Sequence, residues 1–491
     1  MAKSIMLQGT MSNVGKSLLT AALCRIFTRD GYKTAPFKSQ NMALNSFITG
    51  EGLEIGRAQA MQAEAAGIEP CAAMNPVLLK PTTDVGSQVI VMGEVVGNMT
   101  AREYFKYKKQ LVPTIKAAYD SLASENDIIV IEGAGSPAEI NLKADDIVNM
   151  GVAKMTNSPV LLIGDIDRGG VFAQLLGTVD LLEEDEKRLV KGLIVNKFRG
   201  DKSLLRSGVD ILEQRSGKPV LGVVPYIKAD IDDEDSLSER FDRHGKGVID
   251  IAVIRLAHIS NFTDLTALEC IDGVGLRYVS RAGELGRPDM VILPGTKSTM
   301  ADMKILRENG LEAAIKRLAD GGTPVFGICG GFQLLGEEIS DPCGTEGGGS
   351  ICGMGLLPVK TVFSPQKTRT RTSGVFKNAG GVFSGLNGES FEGYEIHMGE
   401  TDSSMSLLEN GKYDGMNIGN IYGTYIHGIF DAKGVSEKII SALADKKGVD
   451  MDGIRTFNMK EYKNSQYDIL ANAVRQSLDM DRIYKIIGEG V

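Results

Sequence analysis

The stretch Gly9-Thr10-Met11-Ser12-Asn13-Val14-Gly15-Lys16-Ser17 follows an apolar run, Ser4-Ile-Met-Leu-Gln8, and opens into Leu18-Leu-Thr-Ala-Ala-Leu-Cys-Arg25. The second segment carries apolar residues at helical spacing, so the order is strand, glycine loop, helix. Backbone N–H groups of such a loop converge on phosphate oxygens, and the new helix turns its positive end to the anion. Lys16 then reaches the β- and γ-phosphates of ATP, Ser17 ligates Mg²⁺, and Thr10, Asn13 and Gly15 complete the nucleotide contacts. The strict pattern puts its first glycine at position 10, which is Thr here, with Gly9 one place earlier. Position 11, where partitioning ATPases carry a second lysine, is Met11. This is a variant P-loop.

The rest of the chain must supply what one loop does not. At 491 residues it is too long for a single core, so two or three domains are expected. A net charge of -9 argues against a nucleic-acid partner held by bulk electrostatics, while a local basic pocket for an anionic substrate stays possible. No apolar run has membrane-spanning length, and the chain opens directly into a strand, so the expectation is a cytoplasmic protein with no membrane partner. Six cysteines show no paired metal spacing; five read as structural and Cys329 as chemical. Fifty-nine glycines, many at strand-to-helix turns, fit an alternating α/β class.

Read in order, the first half repeats strand and helix. Lys33-Thr-Ala-Pro-Phe37 is a strand that ends at Lys38, and loops after the carboxyl ends of parallel strands line the ligand crevice. Lys38 is thus expected to meet phosphate. Asp127-Ile-Ile-Val-Ile-Glu132-Gly-Ala-Gly135 is an apolar strand ending in an acid and then small residues, as a Mg²⁺-nucleotide site requires. Glu132 is therefore the second metal-site residue, with Ser17. Asp145-Asp146 read as opening a helix through Met150, which leaves Asp146 a substrate or Mg²⁺-site candidate or a helix-terminal acid. Two further strands lead to Asp165 and to Asn196, the latter expected at the base of a purine nucleotide. About seven strands in one doubly wound parallel sheet are expected over residues 1–229. The acidic stretch 230–247 reads as a linker.

A second α/β unit is expected over 248–447, with a helical C-terminal segment of unassigned purpose at 448–491. Pro324-Val-Phe-Gly327-Ile-Cys329-Gly-Gly331 has the spacing Gly-x-Cys-x-Gly between strand and helix. Glycines flank a nucleophile there because the turn is too tight for Cβ atoms, and the helix N-terminus favours the thiolate. Ile421-Tyr-Gly-Thr-Tyr-Ile-His427 supplies a His after a strand, so Cys329 with His427 as general base reads as nucleophilic acyl transfer. Amides of Gly330 and of the Gly295 turn are the expected oxyanion hole. His397 is the rival base; His244 and His258 have no motif around them. Lys367, Arg369 and Arg371 form a basic cluster that reads as a solvated loop, with contact to substrate carboxylates as the alternative.

Longer segments carry a resemblance across nearly the whole chain. Through Pro36-Phe-Lys-Ser-Gln-Asn-Met-Ala-Leu-Asn-Ser46, Glu132-Gly-Ala-Gly-Ser-Pro-Ala-Glu-Ile-Asn-Leu142, Gly164-Asp-Ile-Asp-Arg-Gly-Gly-Val-Phe172, Asn196-Lys-Phe-Arg-Gly-Asp201, Ile259-Ser-Asn-Phe-Thr-Asp264 and Gly393-Tyr-Glu-Ile-His397, the sequence resembles the glutamine-hydrolysing cobyric acid synthases. The N-terminal half is similar to dethiobiotin synthetase and the C-terminal half to class I glutamine amidotransferases. The resemblance implies ATP-dependent amidation of the b, d, e and g carboxylates of adenosylcobyrinic acid a,c-diamide, with L-glutamine as nitrogen donor and one ATP per amide. It leaves open the sister activity on the a and c carboxylates, a ligase for another polycarboxylate, and a non-enzymatic P-loop switch fused to a glutamine sensor. Where amidotransferases usually carry an acid two residues after the catalytic His, this chain has Ile429. Glu395 is then the candidate to orient His427.

Overall fold

The computed structural model describes residues 2–83, 86–231, 247–402, 406–409, 413–450 and 458–491. They form two compact units, Met1–Asp235 with Lys463–Val491, and Ser236–Tyr462. Most of the acidic stretch read as a linker lies outside the described residues, as do 451–457.

The first unit is built on six strands, β1 (Lys3–Gly9), β2 (Thr34–Phe37), β3 (Ile128–Glu132), β4 (Val160–Asp165), β5 (Val190–Phe198) and β6 (Val220–Pro225). They lie in the order β6-β5-β4-β1-β3-β2, every neighbouring pair parallel. Runs such as Ile128-Ile-Val-Ile131 are buried from end to end, the pattern of strands covered by helices on both faces. Leu7 of β1 pairs with Glu132 of β3, so the glycine loop and Glu132 leave the sheet at one edge.

One sheet is not the whole of it. Gln40–Met42, Val77–Thr83, Gly86–Val91 and Glu94–Thr100 form a separate four-stranded sheet, which corrects the expectation of a single seven-stranded one. The last two strands are joined only by Met92-Gly93, both at positive φ. A two-residue turn makes an antiparallel hairpin and cannot supply the long crossover that a parallel sheet needs. The segment that follows is two helices, Ala101–Tyr107 and Val112–Glu125, with Pro113 in the first turn of the second. Proline is tolerated there because that N–H has no helical partner anyway.

From Lys463 on, the C-terminal helices Met459–Ser477 and Met480–Glu489 also have a purpose in this unit. Tyr467, Leu470, Val474, Ile483 and Ile487 share a core with Leu23 and Phe27 of helix α1 (Lys16–Arg29), and Arg25 pairs with Asp468 at 2.8 Å. They cover the helix that starts at the P-loop.

The second unit carries β7 (Ile249–Ile254), β8 (Val274–Val279), β9 (Met290–Leu293), β10 (Val325–Ile328), β11 (Met416–Ile418) and β12 (Ile421–Thr424). Their order is β8-β7-β9-β10-β12-β11, parallel except for the last pair. Leu293 pairs with Gly327 and Ile328 with Thr424, so the loops holding Gly295, Cys329 and His427 leave three adjacent strands at one edge. A long antiparallel pair, Lys360–Phe376 with Ser390–Asp402, stands apart from this sheet. Arg369 and Arg371 pair with Ile396 and Tyr394 in it, so the basic cluster read as a loop is strand.

Candidate functional site

Each unit brings together one set of the residues singled out above. In the first, Gly15 takes φ 92°, and a Cβ there would come within 2.4 Å of Asn196 Nδ2. The loop therefore needs glycine at this position for both conformation and space. Asn196 donates from Nδ2 to the Val14 carbonyl at 2.7 Å, and Lys197 Nζ bonds Asp165 at 3.1 Å and the Asn13 carbonyl. The amide NH₂ of Asn196 thus holds the loop from β5. Thr10 donates to Gln174 at 3.2 Å, and Asn13 takes φ 63°. Lys16 Nζ curls back over the loop onto the carbonyls of Met11, at 3.0 Å, and Gly135, at 3.3 Å.

Glu132 is the electrostatic centre of this site. Its Oε1 accepts from Ser17 Oγ at 2.9 Å and Lys38 Nζ at 2.7 Å, and its Oε2 from Gln62 Nε2 at 2.6 Å. Burial would push this carboxyl up, but Lys38, Gln62 and Lys16 more than reverse that, and it stays ionised below the usual carboxylate range. Hydroxyl and carboxylate oxygens that meet at 2.9 Å are the hard donors Mg²⁺ prefers, so Ser17 and Glu132 fit that ion.

Asp146 behaves differently from the expectation of a helix running on from it. The helix is Met150–Thr156, preceded by a 3₁₀ turn over Ile140–Asp145. Between them Asp146 accepts from the amides of Val148, Asn149 and Gly151 at 2.8, 2.9 and 3.0 Å. The acid caps the helix from outside, and its oxygens are occupied by backbone amides.

In the second unit Cys329 stands at the elbow with φ 51° and ψ -109°, a strained conformation for a residue with a Cβ. A Cβ on Gly331 would come within 1.9 Å of the Leu293 carbonyl, which fixes glycine there. Cys329 Sγ bonds the Ile396 carbonyl at 3.7 Å and lies close enough to His427 to act on its ionisation. His427 Nδ1 donates to Asp264 Oδ2 at 2.7 Å, while the Gly428 amide donates to Asp264 Oδ1 at 2.9 Å. Burial pulls His427 down, yet the Asp264 carboxylate and Cys329 outweigh it and raise the imidazole to about 10. Tyr394 stacks on the ring at 5.2 Å, and Asn261 Nδ2 lies 3.3 Å from Nε2.

The partner of His427 is therefore Asp264, not Glu395. Glu395 faces His397 Nε2 at 3.3 Å, and the other ring nitrogen, Nδ1, bonds the Gly399 carbonyl at 2.8 Å. Of the two histidines, His427 is the one paired with Asp264, while His397 is held by Glu395 and the Gly399 carbonyl. A Cβ on Gly295 would lie 3.1 Å from His427 Cε1, and one on Gly330 would lie 2.9 Å from the Thr296 amide nitrogen. Both glycines expected at the oxyanion hole border the thiol–imidazole pair.

The geometry finds its counterpart in known proteins. Residues 5–237 match the CobQ/CobB/MinD/ParA nucleotide-binding domain, and residues 250–435 match the CobB/CobQ-like glutamine amidotransferase domain. A cobyric acid synthase of Ruminiclostridium cellulolyticum is 60% identical over all of this chain and 98% of its own length. One of Lachnoclostridium phytofermentans is 58% identical over the full length of both. The chain belongs to the cobyric acid synthase family. Like other cobyric acid synthases it is a glutamine-dependent ligase of cobalamin biosynthesis, with a nucleotide-binding and an amidotransferase domain. No helix among the described residues is long and apolar enough to cross a membrane.

Proposed function

We propose that this cobyric acid synthase amidates the b, d, e and g carboxylates of adenosylcobyrinic acid a,c-diamide, using ATP and L-glutamine. The observation that carries the reading is that one chain holds both a thiol–imidazole–carboxylate line and a lysine-rich P-loop site around Glu132. A carboxylate resists ammonia because its leaving group would be oxide. Transfer of a phosphoryl group to it gives an acyl phosphate, from which nitrogen displaces phosphate. When bound, Mg²⁺ would shield the phosphate charge from Ser17 and Glu132. Lys16 and Lys38 neutralise the charge that develops during transfer, and the amides of the loop orient the phosphates.

In the amidotransferase unit His427, raised to about 10, already holds the thiol proton, and the Cys329 thiolate attacks the side-chain carbonyl of glutamine. Amides of Gly330 and Gly295 stabilise the oxyanion. His427, held by Asp264, returns the proton to the departing ammonia and then activates the water that opens the thioester. The test is incubation with ATP, glutamine and the a,c-diamide, followed by mass spectrometry of the corrinoid. Stepwise gain of four amides is expected; no amide gain on the a,c-diamide, with two amides formed when cobyrinic acid is supplied instead, refutes the assignment.

Asp264→Asn tests the orienting role. It keeps the shape but removes the charge and favours the wrong imidazole tautomer, so glutaminase kcat should fall by on the order of 10³, with KM for glutamine little changed. A glutaminase assay reads this directly, and a loss under threefold would remove Asp264 from the mechanism. The same variant changes stability with pH. Because His427 is raised from 6.5 to about 10 in the fold, its pairing stabilises fully below 6.5 and is lost as pH rises through about 10. The wild-type Tm should exceed that of Asp264→Asn near neutral pH, and the gap should close by pH 10.

A further inference from the structure

We propose that a surface cavity of the first unit, walled by helix Ala101–Tyr107 and the turn Ile140–Asp145, receives the peripheral carboxylates of the corrin substrate. Its volume is about 630 Å³, and Ala101, Arg102, Phe105, Lys106, Lys109 and Asp145 line it. In a chain of net charge -9, three of those six side chains are cations and one is an acid. Lys109 is held by Asp145 at 2.9 Å, whereas Arg102 and Lys106 form no ion pair within the described residues. Glu103 lies near Lys106, but with no ion pair formed the exposed ammonium and guanidinium stay available to an anion that arrives from solution.

The cavity also suits the body of such a substrate. Phe105 is 39% exposed, with the Lys108 ammonium 3.8 Å from its ring centroid, and Ile140 and Leu142 of the neighbouring turn are 60% and 39% exposed. Apolar side chains beside cations match a macrocycle whose ring is apolar and whose substituents are acids. Inorganic phosphate would use the charges and leave the apolar surface bare.

Both walls are tied to the loops that carry the phosphate-site residues. Tyr104 donates to Gln40, two residues beyond Lys38. Ser39 Oγ donates to the Ile147 carbonyl at 2.6 Å, and Asn149 bonds both backbone groups of Ala134, two residues beyond Glu132. Substrate acids anchored in this cavity leave the macrocycle beside the site at which one acid is phosphorylated. A multiply charged ring can also be re-seated with a different acid in the reactive place, since the anchor reads charge and not one position. The inference rests on the corrinoid reading above.

The test measures binding and turnover in the full chain. Arg102→Glu/Lys106→Glu should weaken binding of the a,c-diamide, followed by its visible absorption, about tenfold and raise its KM equally. KM for ATP and the glutaminase rate should not move. Asp145→Asn removes the acid that occupies Lys109 and should shift corrinoid affinity the other way. Unchanged corrinoid binding in the double variant, or an equal loss for ATP, overturns the proposal. Wild-type protein that binds the diamide through Arg102 and Lys106 but forms no amide would keep the cavity and refute the function. Wild-type protein that does not bind it refutes both.

Discussion

Cys329→Ala should abolish glutamine-supported amidation, by on the order of 10⁴ or more, while amidation from high ammonium chloride continues near the wild-type rate. The size follows from chemistry. Without the sulfur no thioester forms, and the oxyanion amides and His427 have no covalent intermediate to stabilise. Selectivity follows from construction: Cys329, His427 and Asp264 all lie in Ser236–Tyr462, and Lys16, Ser17, Lys38 and Glu132 all lie in the other unit. Alanine also relieves the strain of φ 51° only slightly, since it too has a Cβ, so the elbow should keep its shape. The measurement pairs product formation from each nitrogen source with glutaminase activity on one preparation. Loss of the ammonia-dependent reaction as well would mean that the two chemistries are not separable.

Much of this was legible in the chain because local signals agreed with tertiary ones. A glycine loop between an apolar strand and a helix has few other uses, and Gly-x-Cys-x-Gly needs a turn that only a strand-to-helix elbow supplies. Glu132 followed from position alone, as the acid at the end of a strand with small residues after it. What escaped was pairing across long stretches of sequence. Asp264 lies 163 residues from His427 and sits in a polar turn after β7. The usual acid two places beyond the histidine is replaced by buried Ile429, so proximity in sequence pointed to Glu395 instead. The segment Ile259-Ser-Asn-Phe-Thr-Asp264 was visible as a carrier of the family resemblance, but a carboxylate in a loop has no periodicity that tells where it points. Gln62 escaped for the same reason: it lies on the helix Arg57–Ala66, whose apolar spacing reads as core, and its amide reaches inward to Glu132. The four-stranded sheet was missed where Met92-Gly93 closes a hairpin, because Met92 at positive φ gives no compositional sign of a turn.

Lys16→Ala should remove amidation from glutamine and from ammonia alike, by on the order of 10² to 10⁴, and leave glutaminase activity in place. Lys16 is buried, its ammonium bonded to two carbonyls of the loops that flank it, a position from which it can turn to a phosphate without crossing solvent. Its removal has a further electrostatic effect. Lys16 helps to hold Glu132 ionised, so the variant loses part of the depression of that carboxyl's pKa. A depressed carboxyl stabilises the fold above its unfolded pKa of about 4.5, and that contribution is lost as pH falls through the folded value. The variant should therefore lose Tm relative to wild type near neutral pH, with the difference shrinking in acid. Lys38 remains bonded to Glu132 and keeps the carboxylate paired, so the fold survives and the activity loss reports on chemistry. Ammonia-dependent product from Lys16→Ala at more than a tenth of the wild-type rate would place phosphoryl transfer elsewhere in the chain.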